Sequence, residues 1–173
     1  DATPGRHFVG SELSDGPNHP AGLLPTFDIK TFSGRGEARR IGSSFHQIVV
    51  CSGMCLFVYW AFPTVDPVIE FVQSVTGWDV TKEELLKTGE RIINIRHAFN
   101  LREGLNPLEY QIPDRVLGVS PKQTEPTQGV TVDIKTMEDE YLIAMDWDVK
   151  TSKPSKKKLQ ELGLDDVAKV LYP

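Results

Sequence analysis

Thr81-Lys82-Glu83-Glu84-Leu85-Leu86-Lys87-Thr88-Gly89-Glu90-Arg91-Ile92-Ile93-Asn94-Ile95-Arg96-His97-Ala98-Phe99-Asn100-Leu101 reads as one long helix. Leu85, Leu86, Gly89, Ile92, Ile93, Arg96 and Phe99 recur at intervals of three and four, the period that lines one helix face. Thr81 and Glu84 form a capping box, in which hydroxyl and carboxylate satisfy two orphan amides reciprocally. Gly104 is the natural stop. The predicted helix therefore runs from Lys82 to about Leu101.

Upstream, Asp66-Pro67 predicts another helix start, with Asp as cap and Pro at the first helical position. Val68, Ile69, Phe71, Val72 and Val75 give that helix its apolar side, and Gly77 ends it. Earlier still, Ile41, Phe45, Ile48 and Val49 carry helical spacing from near Glu37 into an apolar stretch. Downstream, residues 105–133 hold four prolines and little periodicity, which predicts a long excursion. Helices are then expected over Met137–Trp147, Ser155–Leu162 and Asp165–Leu171, the last capped by Asp165 or Asp166. Clean alternation extends no further than Thr131-Val132-Asp133-Ile134. The expected fold is all-α: a single multihelical domain over 1–173 with long irregular loops and little or no sheet.

Composition narrows the function classes. The 173 residues carry 39% hydrophobic and 25% charged side chains, a globular balance. A net charge of −5 argues against a general electrostatic grip on nucleic acid. The apolar run from Ile48 to Phe62 is broken by Ser52 and Gly53 and falls short of the ~20 residues of a membrane span. Neither nucleic acid nor membrane is expected as a partner. The chain opens at Asp1 in a Gly/Pro-rich loop without an initiator Met or a secretory signal pattern, and is read as a portion of a longer protein.

Few residues carry chemistry. Cys51 and Cys55 are four apart, and two readings stand: a pair of small buried apolar groups, or thiolate ligands whose partners lie elsewhere. Two cysteines hold neither an iron–sulfur cluster nor a structural zinc by themselves. Of the four histidines, His46 and His97 fall in helical patterns and read as packing or surface residues. His7 and His19 lie in the Gly/Pro-rich segment, where a loop can present an imidazole as proton donor or acceptor. Ser33-Gly34-Arg35-Gly36 resembles a phosphate-cradling turn but lacks the rest of either nucleotide fingerprint, so a flexible helix entry is the plainer reading. Lys156-Lys157-Lys158 reads as a solvated helix face, and Glu83, Glu84, Glu90 and Glu103 as capping and surface groups.

Several segments together carry a family resemblance. They are Thr76-Gly77-Trp78-Asp79, the long helix, Phe99-Asn100-Leu101-Arg102-Glu103-Gly104, and Ile112-Pro113-Asp114-Arg115. The tail adds Glu140-Tyr141, Asp146-Trp147-Asp148 and Leu159-Gln160-Glu161-Leu162-Gly163-Leu164. This combination resembles the C-terminal domain of the aldehyde ferredoxin oxidoreductase family, the tungsten–pterin enzymes. The family's motif Asp-x-x-Gly-Leu-Cys falls in register with Val50-Cys51-Ser52-Gly53-Met54-Cys55. Gly53 and Cys55 match, Met54 replaces Leu, and Val50 replaces the Asp that contacts pterin.

The resemblance implies that Cys55 is one ligand of a 4Fe-4S cluster. It further implies that Val50, Gly53, Met54 and Leu56 lie along a tungsten (or molybdenum) bis-pterin. A glycine at position 53 would let the backbone approach that cofactor closely. His7, after Thr3-Pro4-Gly5-Arg6, takes the place of a histidine near metal and substrate, where it would donate a hydrogen bond or move a proton. The family's three other cluster cysteines are absent from this chain. The implied activity is oxidation of an aldehyde to a carboxylic acid, with electrons passing to ferredoxin in the cytoplasm. The remainder of the enzyme's own chain is an implied partner, and these residues alone are expected to be apo and inactive. The alternative is a non-catalytic helical interaction domain that retains the fold; Val50 and the additional Cys51 speak for it.

Overall fold

A computed structural model describes residues 24, 27, 28, 30–55, 62 and 64–173. Seven α-helices and a 3-10 turn at Pro107–Glu109 form among the described residues, and no strand does. We number the helices α1 (Gly36–Cys51), α2 (Asp66–Thr76), α3 (Lys82–Arg102), α4 (Asp114–Leu117), α5 (Ile134–Ala144), α6 (Lys156–Glu161) and α7 (Asp165–Leu171). The all-α expectation holds for these residues. Thr131–Ile134 is no strand: the Asp133 carboxylate instead accepts from the Thr136 amide and caps α5.

α3 follows its signature closely. The Glu84 amide donates to the Thr81 hydroxyl at 3.2 Å, and the Thr81 amide donates to the Glu84 carboxylate at 2.9 Å. Three other boundaries move. α2 is capped by Val65, with Asp66 inside the first turn. α5 starts before Met137, capped by Asp133, and ends before Trp147, with Met145 at its C-cap. α7 has Leu164 at its cap position with no side-chain bond, so Asp165 and Asp166 act only as first-turn anions.

The molecule is built around the crossing of α1 on α3, with α5 on another side of α1. Gly89 sits at the crossing, where an added Cβ would collide with the Ser44 carbonyl of α1. Gly36 has the same role against the Glu140 backbone of α5. Phe45, Ile48, Val49, Val65, Val68 and Leu85 bury the α1–α2–α3 side. Ala98 closes a second cluster with Leu159, Leu162, Leu164, Ala168 and Leu171. Leu142, Met145 and Trp147 make a third.

A polar seam runs along α3 between these clusters. Glu90, Asn94 and His97 share one helix face, and all three are buried. Glu90 is therefore no surface group. Its carboxylate accepts from Arg40 of α1 at 2.7 Å and from Lys158 of α6 at 2.8 Å. Lys158 is correspondingly withdrawn from the basic run, leaving Lys156 and Lys157 exposed. The Asn94 side chain donates to the Glu90 carbonyl and accepts from the Trp147 indole N–H, each at 2.9 Å. His97 stacks on Trp147, with centroids 3.8 Å apart and planes 5° apart. Its Nε2 lies 2.7 Å from the Ser152 carbonyl. A carbonyl only accepts, so Nε2 carries the proton.

Candidate functional site

The site predicted from sequence lies at the end of α1, and the structure explains why that helix stops there. The Ser52 amide still donates to the Ile48 carbonyl at 2.9 Å, while the Ser52 hydroxyl takes the Val49 carbonyl at 2.8 Å. Gly53 then enters the left-handed region at φ 75°, a conformation that only glycine adopts without a steric cost. Beyond this turn Met54 packs back onto the α1–α2–α3 cluster. The motif is thus anchored at Ile48, Val49 and Met54 and presented between them.

What it presents is a patch of small and apolar groups with two thiols. Val50 is half exposed. Cys51 and Cys55 are both exposed and unbridged, which overturns the reading of two buried apolar cysteines. Among the described residues, no atom beyond the chain neighbours lies within 4 Å of where a Cβ on Gly53 would stand. Val50, Gly53, Met54 and Cys55 therefore belong to one turn. His7, His19 and Leu56 lie outside the described residues.

The support behind this turn was less visible in the sequence. Arg96 of α3 donates to the Gln47 side chain at 2.7 Å and fixes the last turns of α1 laterally. At the other end of α1, the Gly34, Arg35 and Gly36 amides all point to the Glu140 carboxylate, at 2.8, 2.9 and 3.3 Å. The turn read as a possible phosphate cradle is an anion nest, and its anion is a side chain of this same chain. The Gly34 amide, followed by those of Arg35 and Gly36, holds the Glu140 carboxyl below its usual range. Glu140 carried no local signal, because its partners lie more than a hundred positions away.

As a ligand set the turn is incomplete by itself. Among the described residues no group of three or more His, Cys, Asp or Glu side chains could hold a metal ion. A single exposed thiol at Cys55 fits one corner of a cluster whose other ligands come from elsewhere. No helix among the described residues is long and apolar enough to cross a membrane.

Comparison with known proteins agrees with the segments quoted from the sequence. The family profile described as aldehyde ferredoxin oxidoreductase, domains 2 and 3, matches residues 6–164. A tungsten-containing aldehyde ferredoxin oxidoreductase of Pyrococcus furiosus is 36% identical over 118 residues, 68% of this chain and 19% of that protein. The Pyrococcus abyssi enzyme of the same name is 34% identical over 120 residues, 69% of this chain and 19% of its own. The Thermococcus kodakarensis enzyme is 31% identical over 118 residues, with 68% and 19% covered. In each case the match spans about a fifth of the relative's length. With the family profile matched over nearly all its residues, this chain belongs to the aldehyde ferredoxin oxidoreductase family.

Proposed function

We propose that residues 1–173 act as one C-terminal unit of a tungsten-containing, or molybdenum-containing, aldehyde ferredoxin oxidoreductase, and that Cys55 gives a thiolate to its 4Fe-4S cluster. The observation that carries this reading is the presentation of Cys55. It stands exposed and unbridged after a left-handed glycine, on a turn held from behind by Met54 and by the buried Ile48 and Val49 of α1. An exposed thiol there supports a ligand role towards a group outside its own fold. When bound, the pterin-held metal and the cluster supply the two-electron oxidation of an aldehyde to a carboxylic acid, with ferredoxin as acceptor.

The chain's own residues then bind and orient. Cys55 donates one ligand, and the rest of the enzyme's own chain donates the other three. Gly53 allows a close backbone approach to the pterin, Leu56 touches it through its backbone, and Val50 and Met54 lie along it. Val50 offers only apolar contact there. His7 lies near metal and substrate, where it donates a hydrogen bond or moves a proton during aldehyde oxidation. The unit works in the cytoplasm and, taken alone, stays apo and inactive.

The test is full-length enzyme produced with tungstate and molybdate, assayed for both metals, for iron and for a cluster EPR signal. Metal and cluster are expected in the wild type. Cys55→Ser should lose the cluster signal, and Cys51→Ser should keep it. Wild-type protein without metal or cluster leaves only the helical interaction domain, and a normal cluster in Cys55→Ser removes the ligand assignment.

A further inference from the structure

The second thiol at this turn has no part in that scheme. We propose that Cys51 and Cys55 form a reversible dithiol–disulfide pair, in which Cys51 guards the thiol of Cys55 while no cluster is bound. Its purpose rests on the proposed role of Cys55, but its chemistry stands apart from any cluster.

Cys51 and Cys55 are the chain's two cysteines, four positions apart and both exposed. Cys51 is the last residue of α1. Ser52 continues the helical backbone at φ −74° and ψ −7°, and Gly53 reverses the chain in the left-handed region. The span between the thiols is therefore folded back, not extended. The Gly53 amide donates back to the Val50 carbonyl at 3.3 Å, which draws the two ends of the span towards the ~5.5 Å Cα separation that a disulfide takes up.

The co-reactant is a low-molecular-weight disulfide. The Cys55 thiolate attacks one of its sulfurs, forming a mixed disulfide and expelling one small thiolate. The Cys51 thiolate then attacks the Cys55 sulfur, forming the internal bond and expelling the second. The two protons released from the cysteines pass through solvent to the two expelled thiolates. The protein loses two electrons and the small disulfide gains them; a dithiol reductant reverses both steps. A lone exposed thiol would instead stay open to irreversible oxidation.

The test treats the reduced 173-residue chain with oxidised glutathione under argon, in the presence of a chelator. Intact mass should show the loss of two hydrogens and no adduct, with two equivalents of reduced glutathione released. Both cysteines should then resist iodoacetamide until a dithiol is added. Cys51→Ser, checked by circular dichroism for an unchanged helix signal, should stop as a glutathione adduct on Cys55. A doubly adducted wild-type chain, or a disulfide-linked dimer, overturns the proposal. Cluster loading of full-length Cys55→Ser is decided separately, so the two readings fail independently.

Discussion

Glu90 shows how much one side chain can hold. It lies in the interior between two cations from different helices, and its own helix supplies neither. Removing one partner of a buried ion pair leaves uncompensated charge, which costs more than the pair contributes. Glu90→Ala should therefore lower stability by about 3 kcal/mol, measured by urea denaturation. Glu83→Ala, on the exposed side of the same helix, should change it by less than about 0.5 kcal/mol. His97 makes a second prediction at this scale. Burial pushes its pKa down to about 4, against the carbonyl of Ser152, which pulls the other way. The unfolded imidazole binds its proton at about 6.5. Between these values the unfolded chain holds more protons than the folded one, so stability is full above pH 6.5 and falls as the pH drops towards 4. The difference is worth roughly 3 kcal/mol at its limit. Melting temperatures from pH 7.5 to 4.5 should fall in the wild type. A His97→Gln variant should lack that part of the slope.

Helices whose start and stop chemistry is local were legible in the sequence. α3 is the clearest, because Thr81 and Glu84 announce its beginning and the apolar period does the rest. The start of α1 near Glu37 was legible too, but not what satisfies its N-terminal amides, since Glu140 comes from a distant helix and no residue nearby signals it. The same holds for Glu90: a carboxylate inside an apolar stripe looks like surface until Arg40 and Lys158 arrive from elsewhere. Within the candidate site, the Cys55 motif could be read because glycine and cysteine each have a narrow chemical use. The exposure of both thiols depends on where α1 ends, which spacing alone does not set. Glycine at the α1–α3 crossing is the testable consequence at this scale. Gly89→Ala forces two backbones apart and should cost about 3 kcal/mol, near the top of the overpacking range. Gly104→Ala meets nothing within 4 Å among the described residues and pays only the left-handed penalty, about 1 kcal/mol. Thermal unfolding of the two variants side by side checks the ratio.

Across the whole molecule, three apolar clusters are joined by the polar face of α3. The segment from Asp146 to Pro154 is held through Trp147 and Ser152, both of which report to that face. Loosening the seam should therefore release the C-terminal helices before the α1–α3 crossing. Hydrogen exchange on an Asn94→Ala variant should show α6 and α7 losing protection first, with the amides of α1 following only at global unfolding. α1 itself has 16 residues and, at 1.5 Å per residue, a length of about 24 Å. One end is clasped by Glu140 and the other carries the two thiols. A stiff rod gripped at its foot behaves as a strut: a displacement of α5 is carried along α1 to Cys51 at its far end, whereas Cys55 follows only through the Ser52–Gly53 turn.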